Sequence, residues 1–216
     1  MALIQIKPAL DGGGLVCRIG GMSAAEPTYA AIVLAAGKSE RFGADKLAAH
    51  FRGQPLIAHA VAAACAAPVK RVIVVSRRPL VLPDDARIRG VTVESDALSQ
   101  SLRAGLAEAG DCDAAFIFLG DMPLVPHGIA AILADALGDA IAAWPEHEGR
   151  PGHPLLLAQR GFELADALSG DEGLGRILRG RGDVAHLPIN DPGVVLDADT
   201  PETLAALAAS PPRDSM

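Results

Sequence analysis

Ala30-Ala-Ile-Val-Leu-Ala-Ala-Gly-Lys-Ser-Glu-Arg-Phe-Gly-Ala-Asp-Lys-Leu47 changes character abruptly at Gly37. Up to that glycine the run is apolar, rich in small and β-branched residues, and too short for a helix. Such a run reads as a strand buried on both faces, as in a parallel sheet. Beyond it come a second glycine, Gly43, and three cations, Lys38, Arg41 and Lys46. A strand that empties into a Gly-bounded cationic loop is suited to holding a polyphosphate. Glycine lets the backbone approach, free N–H groups point outward, and Lys and Arg neutralise charge. Two well-known phosphate loops are excluded by single residues. A P-loop requires glycine where Ile32 stands, and the dinucleotide fingerprint requires it where Ser39 stands. The plain alternative is a surface turn with scattered charges. Two glycines and three cations directly after the most buried-looking strand weigh against it.

Downstream, strand and helix patterns alternate. Lys70 to Ser76 and Ala114 to Leu119 read as buried strands, and Val91 to Glu94 as a short one. Pro55 stands where a helix over Leu56 to Ala67 begins, a position proline favours. Leu98, Leu102 and Leu106 give the helical spacing of an amphipathic segment, with Ser99 or Ser101 near its start. Helical spacing resumes from about His127 to Leu137. This alternation predicts an α/β fold with a doubly wound, mostly parallel sheet in a single domain. The second half is less regular. Ile141 to Trp144 reads as a short strand, His153 to Ala158 as its hairpin partner, and Phe162 to Leu168 as a short helix. Gly170-Asp-Glu-Gly173 opens a further helix, and Val194 onward gives a strand, an acidic turn and a helix with Pro201 near its first position.

Composition sets the limits. With 216 residues, half of them hydrophobic but only 3% aromatic, the chain can bury a substantial core made mainly of alanine and aliphatic side chains. The net charge of −7, from 19 Lys and Arg against 26 Asp and Glu, argues against nonspecific binding to nucleic acid or an anionic membrane. Cys17, Cys65 and Cys112 are far apart and lack metal-ligand spacing, which suits a reducing cytoplasm. No run approaches the roughly 20 apolar residues of a membrane span, and the N-terminal residues do not read as a signal peptide. Residues 1–27 read as an extension, within which Met22 resembles a second chain start. Residues 28–209 form the domain, and 210–216 are expected to be a disordered tail.

Two acidic turns offer metal ligands. Asp121 stands just past the end of a central strand, where open α/β sheets place their ligands. Mg²⁺ takes one or two carboxylates together with substrate phosphates. Asp121 could instead cap the next helix. Asp197 and Asp199 alternate in an extended segment and so share a face. Capping of the following helix is the better role for Asp199, whereas Asp197 stays open as a metal ligand.

Leu34-Ala35-Ala36-Gly37-x-Ser39-x-Arg41-Phe42-Gly43-x-x-Lys46 resembles the signature loop of the MobA-like nucleotidyltransferases, and within them the molybdenum cofactor cytidylyltransferases. Weaker similarities recur as far as Leu204. The resemblance implies a Rossmann-like nucleotidyltransferase fold and nucleotide contacts from Leu34, Ala35, Ala36, Gly37, Ser39, Arg41, Gly43 and Lys46. It extends them to Asp96 and Ser101 around the Ser99-Gln-Ser-Leu segment. Arg41, Lys46 and Asp121 would carry catalysis, with Mg²⁺ on Asp121. The implied reaction moves CMP from CTP to the terminal phosphate of molybdenum-bound molybdopterin, and a molybdenum enzyme then receives the product. Gly149 to Pro154 resembles the segment facing the second substrate, although His153 itself is given no catalytic role. Gly170 to Gly173 resembles another family turn. The chain departs from the cytidylyltransferase pattern at Met122, where glutamine is usual, and at Asp96 to Ser99, where an asparagine and a glycine are missing. A guanylyltransferase, a transferase acting on another phosphorylated small molecule, and a carrier of nucleotide or cofactor that has lost turnover are the rival readings.

Overall fold

The computed structural model describes residues 26–37, 42, 45–95 and 97–210. The possible start at Met22, the loop residues Lys38, Ser39, Arg41 and Gly43, and Asp96 lie outside the described residues. So does the tail, apart from Ser210.

The elements in chain order are β1 (Tyr29–Ala35), β2 (His50–Phe51), β3 (Gln54–Pro55), α1 (Leu56–Ala66), β4 (Arg71–Ser76), β5 (Ile88–Thr92) and α2 (Leu98–Ala109). Then follow β6 (Ala114–Leu119), α3 (Ile129–Leu137), β7 (Ala142–His147), β8 (Arg150–Pro151), β9 (Leu155–Ala158), α4 (Gly175–Leu178), β10 (Val184–Pro188) and α5 (Pro201–Ala209). The main sheet runs β10-β7-β9-β6-β1-β4-β5, with β8 paired to β7. Along that path every neighbouring pair is parallel except the two made by β9, which lies antiparallel to β6 and β7. Because β9 reverses against both, β6 and β7 point the same way. The C-terminal ends of β10, β7, β6, β1, β4 and β5 therefore share one edge.

The strand at the centre shows why the sheet is covered twice. Ala31, Val33 and Ala35 of β1 join a core with Val61 and Ala64 of α1 and Ile129 and Leu133 of α3. The alternate residues Ala30, Ile32 and Leu34 join a second core with Leu102 and Leu106 of α2 and Leu178 of α4. A period of two with both faces apolar leaves no side of β1 for water. Close packing is set by small residues: a Cβ on Gly105 of α2 would meet Ile32 and Val75 side chains.

The structure corrects several boundaries. The third strand lies at Ile88–Thr92, earlier than Val91 to Glu94. Pro55 belongs to the β2–β3 hairpin and stands at the N-cap of α1, one residue before the helix. Neither serine caps α2, whose N-cap is Ala97. Gln159–Ala167 is 3-10 helix. Residues from Val194 do not form a strand; Pro192–Val195 is a 3-10 turn leading into extended, unladdered chain. β10 has no counterpart in the pattern reading, because it is a half-exposed edge strand with little apolar signal. The indole N–H of Trp144 on β7 donates to His186 Nδ1 on β10 at 3.0 Å, which pins that edge. No helix among the described residues is long and apolar enough to cross a membrane.

Candidate active site

At the common edge, β1 ends at Ala35 and the chain continues through Ala36 and Gly37. Leu34, Ala35 and Ala36 are buried at the end of the central strand. Gly37 is different: a Cβ built there meets nothing within 4 Å among the described residues. Gly120, at the end of the neighbouring β6, donates its N–H to the Leu34 carbonyl at 2.9 Å. A Cβ on Gly120 would stand 3.1 Å from that carbonyl oxygen and 2.9 Å from Ile57, so glycine permits the two strand ends to close on each other.

Asp121 follows directly. It does not cap α3, whose N-cap is Gly128. Its carbonyl accepts from Ala198 N–H at 3.0 Å, tying the turn after β6 to the acidic segment near the C-terminus. Gly193 makes that approach possible, since a Cβ there would overlap the Leu124 carbonyl. Gly152 plays the same part on the other side, lying against the Val194 carbonyl, to which His153 N–H donates at 2.7 Å. Three turns distant in sequence are thus held backbone to backbone.

Lys46 closes the arrangement. Its Nζ donates to Asp121 Oδ2 at 2.7 Å and to Asp199 Oδ1 at 3.0 Å, and the residue is only 8% exposed. Burial pulls the amine's pKa down, but the Asp121 and Asp199 carboxylates outweigh it and hold the amine above its usual range. Phe42, from the same loop, packs against a small core of Phe51, Leu56, Ala198, Leu204 and Leu207. Phe42 thus meets α5 and the acidic turn through apolar packing, and Lys46 meets the acidic turn through ion pairs.

The expectation that Asp199 caps α5 is corrected: Thr200 is the cap, its Oγ1 accepting from Thr203 N–H at 3.2 Å. Pattern reasoning chose between two plausible roles and missed the lysine 153 residues away. Asp197 sits alongside. Partial burial, then repulsion from Asp199 and Asp121, raises its pKa, with Lys46 pulling the other way. His153, which had no expected role, is also brought here. Burial lowers its pKa, against the Ile117 carbonyl and the charges of Asp121 and Asp197. That carbonyl accepts from Nδ1 at 3.2 Å, so the neutral ring carries its lone pair on Nε2.

Around the start of α2 the geometry is less direct. The Ser101 hydroxyl is buried and donates to the Ala97 carbonyl at 3.2 Å, within its own helix. The Ser99 hydroxyl is buried without a hydrogen-bond partner among the described residues. Ser99 N–H donates to the Gly170 carbonyl at 3.1 Å, which brings the Gly170 to Gly173 turn to this end of the helix.

Two carboxylates converging on one cation fit the hard-oxygen donor chemistry of a magnesium–nucleotide site. No cluster of three or more His, Cys, Asp or Glu residues placed to hold a metal ion occurs among the described residues.

The chain is 29% identical over 199 residues to the purine catabolism protein PucB of Bacillus subtilis strain 168, covering 82% of this chain and 94% of that one. The structure resembles the Rv0371c homolog from Mycobacterium sp. strain JC1, with a TM-score of 0.72 and 26% identity over 84% of this chain and 95% of that one. It also shares the fold of the manganese complex of Rv0371C from Mycobacterium tuberculosis H37Rv, at a TM-score of 0.69 and 23% identity, covering 85% and 99% of the two chains. Residues 31–189, from the central strand through β10, match a family of nucleotidyltransferases along their whole span, and the chain belongs to that family, the MobA-like NTP transferase domain.

Proposed function

We propose that the protein is a divalent-metal-dependent nucleotidyltransferase that moves CMP from CTP to the terminal phosphate of molybdenum-bound molybdopterin. The observation that supports it most is the meeting of Lys46, Asp121 and Asp199 through two short ion pairs. An acceptor phosphate oxygen attacks the α-phosphorus of the triphosphate in line. The new P–O bond gives a phosphoanhydride, the bond to the β-phosphate breaks, and pyrophosphate leaves. Such transfer depends on positioning and charge neutralisation more than on acid–base chemistry. When bound, Mg²⁺ supplies charge neutralisation at the phosphate oxygens, and Asp121 with Asp199 or Asp197 would hold it. Gly37 and Gly43 admit the phosphates to backbone amides, and Arg41 and Lys46 steady them. Asp96 and Ser101 belong to the segment beside the nucleotide. The product, a cytosine dinucleotide form of the cofactor, is then handed to a molybdenum enzyme.

The base is assigned to cytosine because Ala36 stands where the guanylyltransferases of the group carry glycine. The methionine that departs towards the guanylyltransferase pattern, Met122, is buried in the core cluster that includes Ile57 and Leu133. The test is pyrophosphate release with Mg²⁺, molybdopterin and each of CTP, GTP, ATP and UTP. Preference for CTP is expected. Preference for GTP transfers the reading to a guanylyltransferase. Turnover with no nucleotide, despite measurable triphosphate binding, makes the protein a carrier.

A further inference from the structure

Lys46 sits where a metal ion would. Its Nζ is within 3.0 Å of one oxygen from each of Asp121 and Asp199. Both carboxylates would need to close by under about 1 Å to reach the 2.0–2.1 Å of magnesium coordination. The side chain of Lys46 is 10% exposed and that of Asp121 23%, whereas Asp199 is 44% exposed, so the ammonium is shielded from water chiefly on its Asp121 side. An ammonium and a divalent cation cannot share that point.

We propose that Lys46 is the internal counter-ion of the metal site, which excludes free divalent cation until a triphosphate offers the lysine another anionic partner. The two carboxylates bring two of the roughly six oxygens that Mg²⁺ requires, and no fuller cage exists among the described residues. A bare ion would gain those two oxygens but would have to evict a charged amine that already holds both. A metal–triphosphate complex supplies the remaining oxygens and gives the ammonium phosphates to bind. The metal and the nucleotide therefore enter together, and the site resists occupation by metal alone. One lysine acts on the carboxylates when the site is empty and on the phosphates when it is filled.

The inference rests on the metal-dependent nucleotidyl transfer proposed above, yet the two fail separately. The experiment is calorimetric titration of MnCl₂, without nucleotide, into the full chain at constant pH and ionic strength. Lys46→Met should bind Mn²⁺ at least about tenfold more tightly than wild type, because a like charge has been removed from the carboxylates. Lys70→Met makes the same charge change at the start of β4, the opposite edge of the sheet, and should leave Mn²⁺ affinity unchanged. Adding Asp199→Asn to Lys46→Met should abolish the gain, since it depends on both carboxylates. Lys46→Gln provides a second variant, and circular dichroism establishes that each is folded. Equal or weaker Mn²⁺ binding by both Lys46 variants overturns the proposal, as does a gain that survives Asp199→Asn or is reproduced by Lys70→Met. Pyrophosphate release by wild type decides the catalytic reading independently: tighter Mn²⁺ binding in a protein without turnover upholds the counter-ion and removes the enzyme.

Discussion

Single side chains at this site carry more than one obligation. Asp121 holds Lys46 and accepts Ala198 through its backbone. Asp121→Asn preserves the shape and the backbone contact but removes the charge. It should keep the fold and lower Mg²⁺-dependent turnover at least about a hundredfold, as losing one preorganised charge-stabilising group commonly does; pyrophosphate release measures it. Ala36 is 3% exposed, so its methyl fills space at the strand end. Ala36→Gly should raise activity with GTP relative to CTP, by a discrimination of roughly 1–3 kcal/mol, the usual worth of a small apolar group. Competing the two nucleotides in one assay checks it. His153 adds a pH effect. Burial holds its pKa below the ordinary histidine value, so between that depressed value and about 6.5 the unfolded chain binds more protons than the folded one. Stability should therefore fall as pH drops through this window and level off above it. His153→Asn should flatten that slope, measured by urea melts at pH 7.5 and 5.5.

Elements reach the site through their ends. α5 begins at Pro201, one residue after the cap that also fixes Asp199. Thr200→Ala should cost about 1 kcal/mol of stability in denaturant melts, the typical loss of such a cap. The Pro192–Val195 turn is held even more tightly, by Asp191 accepting from Gly193 N–H at 2.7 Å and by the closeness of Gly193 to Leu124. The β2–β3 hairpin contributes without touching ligand chemistry. Phe51 is fully buried against Ala198 and Leu204, so the hairpin forms the floor under the acidic turn.

At the scale of the whole molecule, the sheet joins a dense centre to thinner edges. β1 is buried along nearly its whole length, whereas β5 and β10 are half exposed. Amides of β1, β4 and β6 should accordingly be the slowest to exchange with deuterium, and those of β5 and β10 markedly faster, by hydrogen-exchange mass spectrometry. The amino-acid sequence by itself determined the buried strands β1, β4 and β6, helix α2 and the parallel, doubly wound class. Each carries a strong local signal: a continuous apolar run, or leucines at helical spacing. It also marked Gly37, Lys46 and Asp121, because unusual residues followed directly on those runs. The tertiary structure alone decided that Asp199 faces Lys46 instead of capping α5, that His153 stands among carboxylates, and that Met122 is core. Edge strand β10 likewise depended on its neighbours. The physical reason is range. Burial period and turn chemistry act over a few residues and leave their mark in order. An ion pair between positions 46 and 199 exists only once Gly152, Gly193 and the Ala198–Asp121 hydrogen bond have drawn separate turns together.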